Sequence, residues 1–106
     1  MSDKPVIPRQ HARRDTEEAV DHYLAIAGAK TALRLIDALQ RAYAQIARHP
    51  GSGSPRYAQE LGLAGLRSWP LKRFPYLVFY VERDDHIDVW RVLHGERDIP
   101  AWLREP

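Results

Sequence analysis

The feature that most constrains this chain is a helical stripe closed off at both ends. Between Gly28 and Pro50-Gly51, the residues Ala32, Leu35, Ile36, Leu39, Tyr43 and Ile46 recur at steps of three and four. That spacing places them on one face of a helix over about 29–48. Arg34, Asp37, Arg41 and Arg48 fall off the stripe, and Arg48 and His49 suit a helix C-terminus before Pro50-Gly51. A one-sided helix must bury its stripe against another layer, so the rest of the chain has to supply one.

A second helix, weaker in pattern, is predicted just before it, over about 12–27. Ala12, Ala19, Tyr23 and Ala27 recur at one or two turns, with Leu24 and Ile26 beside them. Asp15, Glu17 and Glu18 are read as acids of its early turns, where they complement the helix dipole rather than form catalytic carboxylates. Gly28 separates the two helices, which predicts a helical hairpin. Upstream, Val6 and Ile7 stand between Pro5 and Pro8, so that segment is at best a short edge strand.

The layer beneath the hairpin should come from the last forty residues. Leu66–Arg73 reads as a strand disturbed at Pro70, Tyr76–Arg83 as a central strand with six apolar residues in a row, and His86–Leu93 as a third. Asp84-Asp85 is the hairpin turn between the last two. Val92 is out of phase with Ile87 and Val89, which points to a bulge or to burial on both faces. Tyr57–Leu61 is read as a helical turn in a loop-rich stretch, and Ile99–Leu103 as a short terminal helix or coil. The fold class is therefore α+β. An N-terminal strand and a two-helix hairpin pack on a C-terminal antiparallel meander, with Leu35, Leu39, Tyr43 and Ile46 expected against Leu77, Phe79 and Val89 or their neighbours.

One domain spanning 1–106 is the natural count for 106 residues. With 44% apolar and 28% charged residues the chain resembles ordinary soluble domains. It has no cysteine, hence no disulfide framework and no thiolate metal site, as suits a cytoplasmic protein. The longest apolar run, Tyr76–Val81, is far too short to cross a membrane, and the charged start (Asp3, Lys4) does not resemble a signal peptide. His11, His22, His49, His86 and His94 are scattered without metal-ligand spacing, so neither metal nor cofactor is expected.

The net charge of +2 says little, but its distribution says more. No acid falls between Leu61 and Val81, while Arg67, Lys72 and Arg73 do, and such a patch attracts an anion or an acidic chain. Lys72 and Arg73, with no acid near in sequence, suit contacts to a partner. Arg67 suits either a contact to a partner or a structural pairing with an acid. His94 suits a turn hydrogen bond better than catalysis, and Arg97 beside Asp98 suits a local ion pair. Trp69 and Trp90 read as core anchors. Trp102, near the chain end, is either a plug on the sheet or an exposed binding anchor.

The order strand, helix, helix, three strands, together with certain words, resembles the RelE/ParE family of toxins of type II toxin–antitoxin systems, and ParE more than RelE. The words are "ARRDTEEAVDHY" in the first helix (Ala12, Asp15), "RHPGSG" after the second (Pro50, Gly51), and "GLRSWPLKRFPYLVFYVERDDHIDVWRVLHGERD" through the strands. Within the last, Leu66-Arg67 opens a strand, Tyr80 closes an aromatic-rich one, and His94 and Arg97 come late. The resemblance implies a cognate, ParD-like antitoxin and a toxin–antitoxin hetero-oligomer.

It also implies one of two actions. ParE-like toxins inhibit DNA gyrase and have no assigned catalytic set; Arg67, Lys72, Arg73, Arg97 and Trp102 would then bind target or antitoxin. RelE-like toxins are endoribonucleases that cleave messenger RNA on the ribosome by 2′-hydroxyl attack. That chemistry needs proton transfer and cations for the phosphorane, for which His94, Arg67, Arg73 and Arg97 are the candidates. Only three lysines occur in the chain and no tyrosine follows Tyr80, so gyrase inhibition is the expected action and enzyme activity the alternative.

Overall fold

The chain builds a four-stranded sheet with helices on both faces. The computed structural model describes residues 3–96 and 99–103. In order these form β1 (Val6–Pro8), α1 (Gln10–Ala27), α2 (Ala29–Arg48), a 3-10 turn (Pro50–Ser52), α3 (Arg56–Leu61), β2 (Leu66–Pro70), β3 (Tyr76–Glu82), β4 (Ile87–His94) and α4 (Ile99–Leu103). The sheet order is β1-β4-β3-β2.

The three C-terminal strands form the expected antiparallel meander, and β1 joins its far side parallel to β4, with Val6 opposite Ile87 and Pro8 opposite Val89. The parallel pairing makes the sheet mixed. β1 is an edge, as its prolines require. The Arg9 amide donates to the Val89 carbonyl at 2.8 Å, so the protonless nitrogen of Pro8 faces the open side.

Both helices of the hairpin start and stop near the expected residues. Gly28 serves both ends at φ 90°, a left-handed value that favours glycine. α1 begins at Gln10, however, and its first turn holds no acid. Asp15 lies in the second turn, so the helix-dipole reading of that residue is set aside. β2 ends at Pro70 rather than Arg73. The Leu71 amide turns back to the Tyr76 carbonyl at 2.9 Å, and Arg73 takes φ 72° within the loop.

One face of the sheet is covered by the hairpin. Ala12 and Ala19 of α1 and Leu35, Leu39 and Ile46 of α2 pack on Val78, Tyr80 and Val89. Leu77 and Phe79 are not part of that layer. They lie on the opposite face with Leu66, Val81 and Leu93, under Ile99 and Leu103 of α4 and beside Tyr57 and Leu61 of α3. Alternation along β3 forces this split, because neighbouring residues of a strand point to opposite faces.

The register slips between Phe79 and Tyr80, which pair with Arg91 and Val89 and leave Trp90 as an extra residue in β4. That bulge returns Val92 to the hairpin face, where it packs beside Val89.

Candidate functional site

Three regions hold the candidate residues. The first is a lock between the β2–β3 hairpin and the loop after α2. Arg67 stands opposite Tyr80 in the ladder, on the hairpin side. The Tyr80 hydroxyl donates to the Pro50 carbonyl at 2.8 Å and accepts the Gly53 amide at 3.1 Å. Arg67 Nη1 donates to the Gly53 carbonyl at 2.9 Å. Burial pushes the Tyr80 hydroxyl above its ordinary pKa, against the opposing pull of the Gly53 amide and Arg67. Arg67 therefore ties a loop carbonyl, where the sequence suggested an acid.

Gly53 is fitted to this lock by size. A Cβ there would strike the Tyr80 hydroxyl and press on the Arg67 side chain. Its φ of −66° suits any residue, so the constraint is steric alone. Gly53→Ala should lower the unfolding free energy by about 1–3 kcal/mol through overpacking. Urea melts check this, and Gly51→Ala, with open space around its Cβ position, serves as the control that should stay near wild type.

The second region is the end of the sheet where β3 begins. His94 stands opposite Tyr76, and their rings meet edge to face at 5.3 Å. His94 Nδ1 accepts the Glu96 amide at 3.1 Å across the turn. His94 and Arg67 share a sheet face but are four residues and two strands apart in the ladder, on the order of 16 Å by strand geometry. Lys72 and Arg73 sit in the loop joining β2 to β3, both exposed, and face α2 across a groove of about 780 Å³. Arg97 lies outside the described residues, as does the expected pairing with Asp98. Among the described residues no three histidine, aspartate or glutamate side chains gather as metal ligands would.

The third region was missed in the sequence, although a charged residue inside "VWRVL" was a signal. β1 covers β4 only as far as Val89, so the outer edge of β4 beyond it needs other partners. Asp15 supplies one, its Oδ2 accepting the Val92 amide at 3.0 Å. The same carboxylate takes Arg91 Nε and Nη2, each at 2.7 Å, and both side chains are under 10% exposed. Arg91 Nη1 donates to the Trp102 carbonyl at 3.1 Å, and its guanidinium lies over the Trp102 ring, 5.2 Å from the centroid. One arginine thus joins α1, the bulged strand and α4. Ile99 and Leu103 are the plug on the sheet, whereas Trp102 is 37% exposed.

Near the bulge, Asp88 collects Arg9 through two hydrogen bonds, Arg83 through two, and the Trp90 indole. Arg9 also lies 4.7 Å over the Trp90 ring. Burial alone would raise the Asp88 carboxyl, but these donors outweigh it and hold the group below the usual carboxylate range.

The comparisons with known proteins agree with this architecture. A family model described as the ParE toxin of the type II toxin–antitoxin system parDE matches residues 6–99. In structure the chain is similar to one from a chromosomal ParDE toxin–antitoxin system of P. aeruginosa, with a TM-score of 0.73 and 20% identity. That match covers 88% of this chain and 97% of the other. None of the curated proteins compared with it matches in sequence. With most of its length matched by the family model, the chain belongs to the ParE toxin family of type II toxin–antitoxin systems.

Proposed function

We propose that this toxin acts in the cytoplasm by binding and inhibiting DNA gyrase, and that a ParD-like antitoxin from the same operon neutralises it in a hetero-oligomeric complex. No described helix is long and apolar enough to cross a membrane. The observation that carries the reading is the structural commitment of two of the would-be nuclease residues. His94 Nδ1 holds a turn amide and Arg67 holds a loop carbonyl, on the order of 16 Å away by strand geometry.

Rapid cleavage by 2′-hydroxyl attack needs proton transfer and charge stabilisation at one point, and losing an acid or base costs ~10²–10⁴-fold. A binding poison needs only a surface. Trp102, 37% exposed on a helix anchored by Ile99 and Leu103 and backed by the buried Arg91 guanidinium, supplies an aromatic anchor of the kind interfaces favour. Lys72, Arg73 and Arg97 are assigned to contacts with target or antitoxin.

The test is induction of the toxin without its antitoxin, followed by supercoiling assays on purified gyrase and by messenger-RNA integrity. Loss of supercoiling with intact messages is expected. Ribosome-dependent message cleavage that is lost in His94→Ala overturns the reading.

A further inference from the structure

We propose that the groove between α2 and the β2–β3 loop is the docking channel for an acidic, apolar-anchored segment of the antitoxin. This rests on the toxin–antitoxin reading above and assigns the surface that the antitoxin occupies. The walls of the groove carry Arg34 and Arg41 on one side and Lys72 and Arg73 on the other, all exposed. Seven residues separate the two α2 arginines, which puts them two turns apart on one helix face, ~10 Å along the axis. The facing cations therefore form two rows rather than a point, and suit a segment of chain rather than a single small anion.

The floor is of another kind. Trp69 and Phe74 pack partly against the core and Ala42 is buried there, so the channel pairs apolar floor with cationic rim. That combination fits a peptide with carboxylates on its flanks and an aliphatic or aromatic side chain between them. Nucleic acid would be expected to find stacking rings standing clear of the surface. Here both aromatic groups are half-buried in the core layer.

Three of the four cations, Arg34, Lys72 and Arg73, have no carboxylate paired with them among the described residues. Asp37 is the one acid lining the groove, and it pairs with Arg41 at 3.2 Å, an exposed contact of i,i+4 type. Asp37 thus stands where a carboxylate of the incoming segment would stand, and competes with it for Arg41. Removing cations and removing Asp37 should move affinity in opposite directions, which a merely destabilising substitution would not do.

The probe is the protein encoded by the reading frame adjacent to the toxin gene, co-purified with the full toxin and measured by calorimetry or fluorescence anisotropy. The double variant Lys72→Glu/Arg73→Glu should weaken the complex roughly thirtyfold, through like-charge contact in place of attraction. Arg34→Ala should weaken it by less, and Asp37→Asn should tighten it about threefold at low salt. Raising the salt well past 0.1 M, where screening acts over ~10 Å, should compress these differences.

Each variant's melting temperature is taken alongside; all four positions are exposed, so wild-type values are expected. A wild-type complex that Lys72→Glu/Arg73→Glu and Asp37→Asn both leave unchanged overturns the groove assignment and spares the toxin–antitoxin reading. The absence of any wild-type complex at low salt overturns both. If instead an oligo(dT) strand binds the groove, and the double variant loses that binding while keeping the antitoxin, the occupant is nucleic acid and the proposal fails.

Discussion

Arg91→Met should lower the unfolding free energy by ~3–5 kcal/mol, the cost of leaving a buried carboxylate without its counter-ion. Asp15 and Arg91 are both under 10% exposed and share two hydrogen bonds at 2.7 Å. With arginine gone, Asp15 keeps the Val92 amide but no cation. A domain of this length is stable by roughly 5–15 kcal/mol, so the variant should sit near its unfolding threshold and lose much of its yield. The double variant Asp15→Asn/Arg91→Met should recover a large part of the loss. It removes the stranded charge yet leaves an amide oxygen to accept the Val92 N–H, and uncharged replacements of buried pairs are often near neutral. Chemical denaturation of the single and double variants checks this as a cycle. A double variant no more stable than Arg91→Met would show that the charge is not what the arginine is there to compensate.

The same cluster marks the limit of what the sequence could reveal. Periodicity found the hairpin because the stripe of α2 has one phase, Ala32 through Ile46, and that phase fixes the buried side. It did not find which way β3 faces. Six consecutive apolar residues satisfy either phase, so Leu77 and Phe79 were expected under the hairpin when they lie on the far face. The missing information was that α3 and α4 cover that far face, and helices of six and five residues leave little periodic signal.

The bulge was legible in Val92, because a bulge changes the phase of an alternating strand. The Asp15–Arg91 pair was not, since 76 residues separate the partners and only the bulged, uncovered edge of β4 brings them together. Arg67 illustrates the converse. A basic residue in a basic stretch suggested a binding group or an ion pair, yet it donates to the Gly53 carbonyl, a backbone acceptor that no sequence pattern announces.

Trp102→Ala should reduce the proposed gyrase inhibition by roughly thirtyfold or more, the loss expected of a hot-spot aromatic worth at least ~2 kcal/mol, while antitoxin binding, assigned above to the α2 groove, should stay near wild type. A point substitution is needed because the terminal helix cannot simply be removed. Ile99 and Leu103 are 2% and 3% exposed and pack on Leu66, Phe79, Val81 and Leu93, so trimming the chain from Ile99 would uncover the core of that face. Loss of activity after trimming would then report unfolding as readily as loss of a contact. Trp102 separates the two roles. The residue is 37% exposed, and the Arg91 guanidinium lies 5.2 Å from its ring centroid, a stacking worth ~1 kcal/mol in such a setting. The alanine variant should therefore remain folded, with a melting temperature lowered by roughly 4–8 °C for each kcal/mol lost. Trp102→Phe, which keeps an aromatic face but loses the indole, should restore part of the inhibition. The measurement is the toxin concentration that halves gyrase supercoiling, compared across wild type, Trp102→Ala and Trp102→Phe, with thermal melts on the same samples. A folded Trp102→Ala toxin that inhibits as well as wild type removes α4 from the target surface and shifts the search to the cationic loop of Lys72 and Arg73.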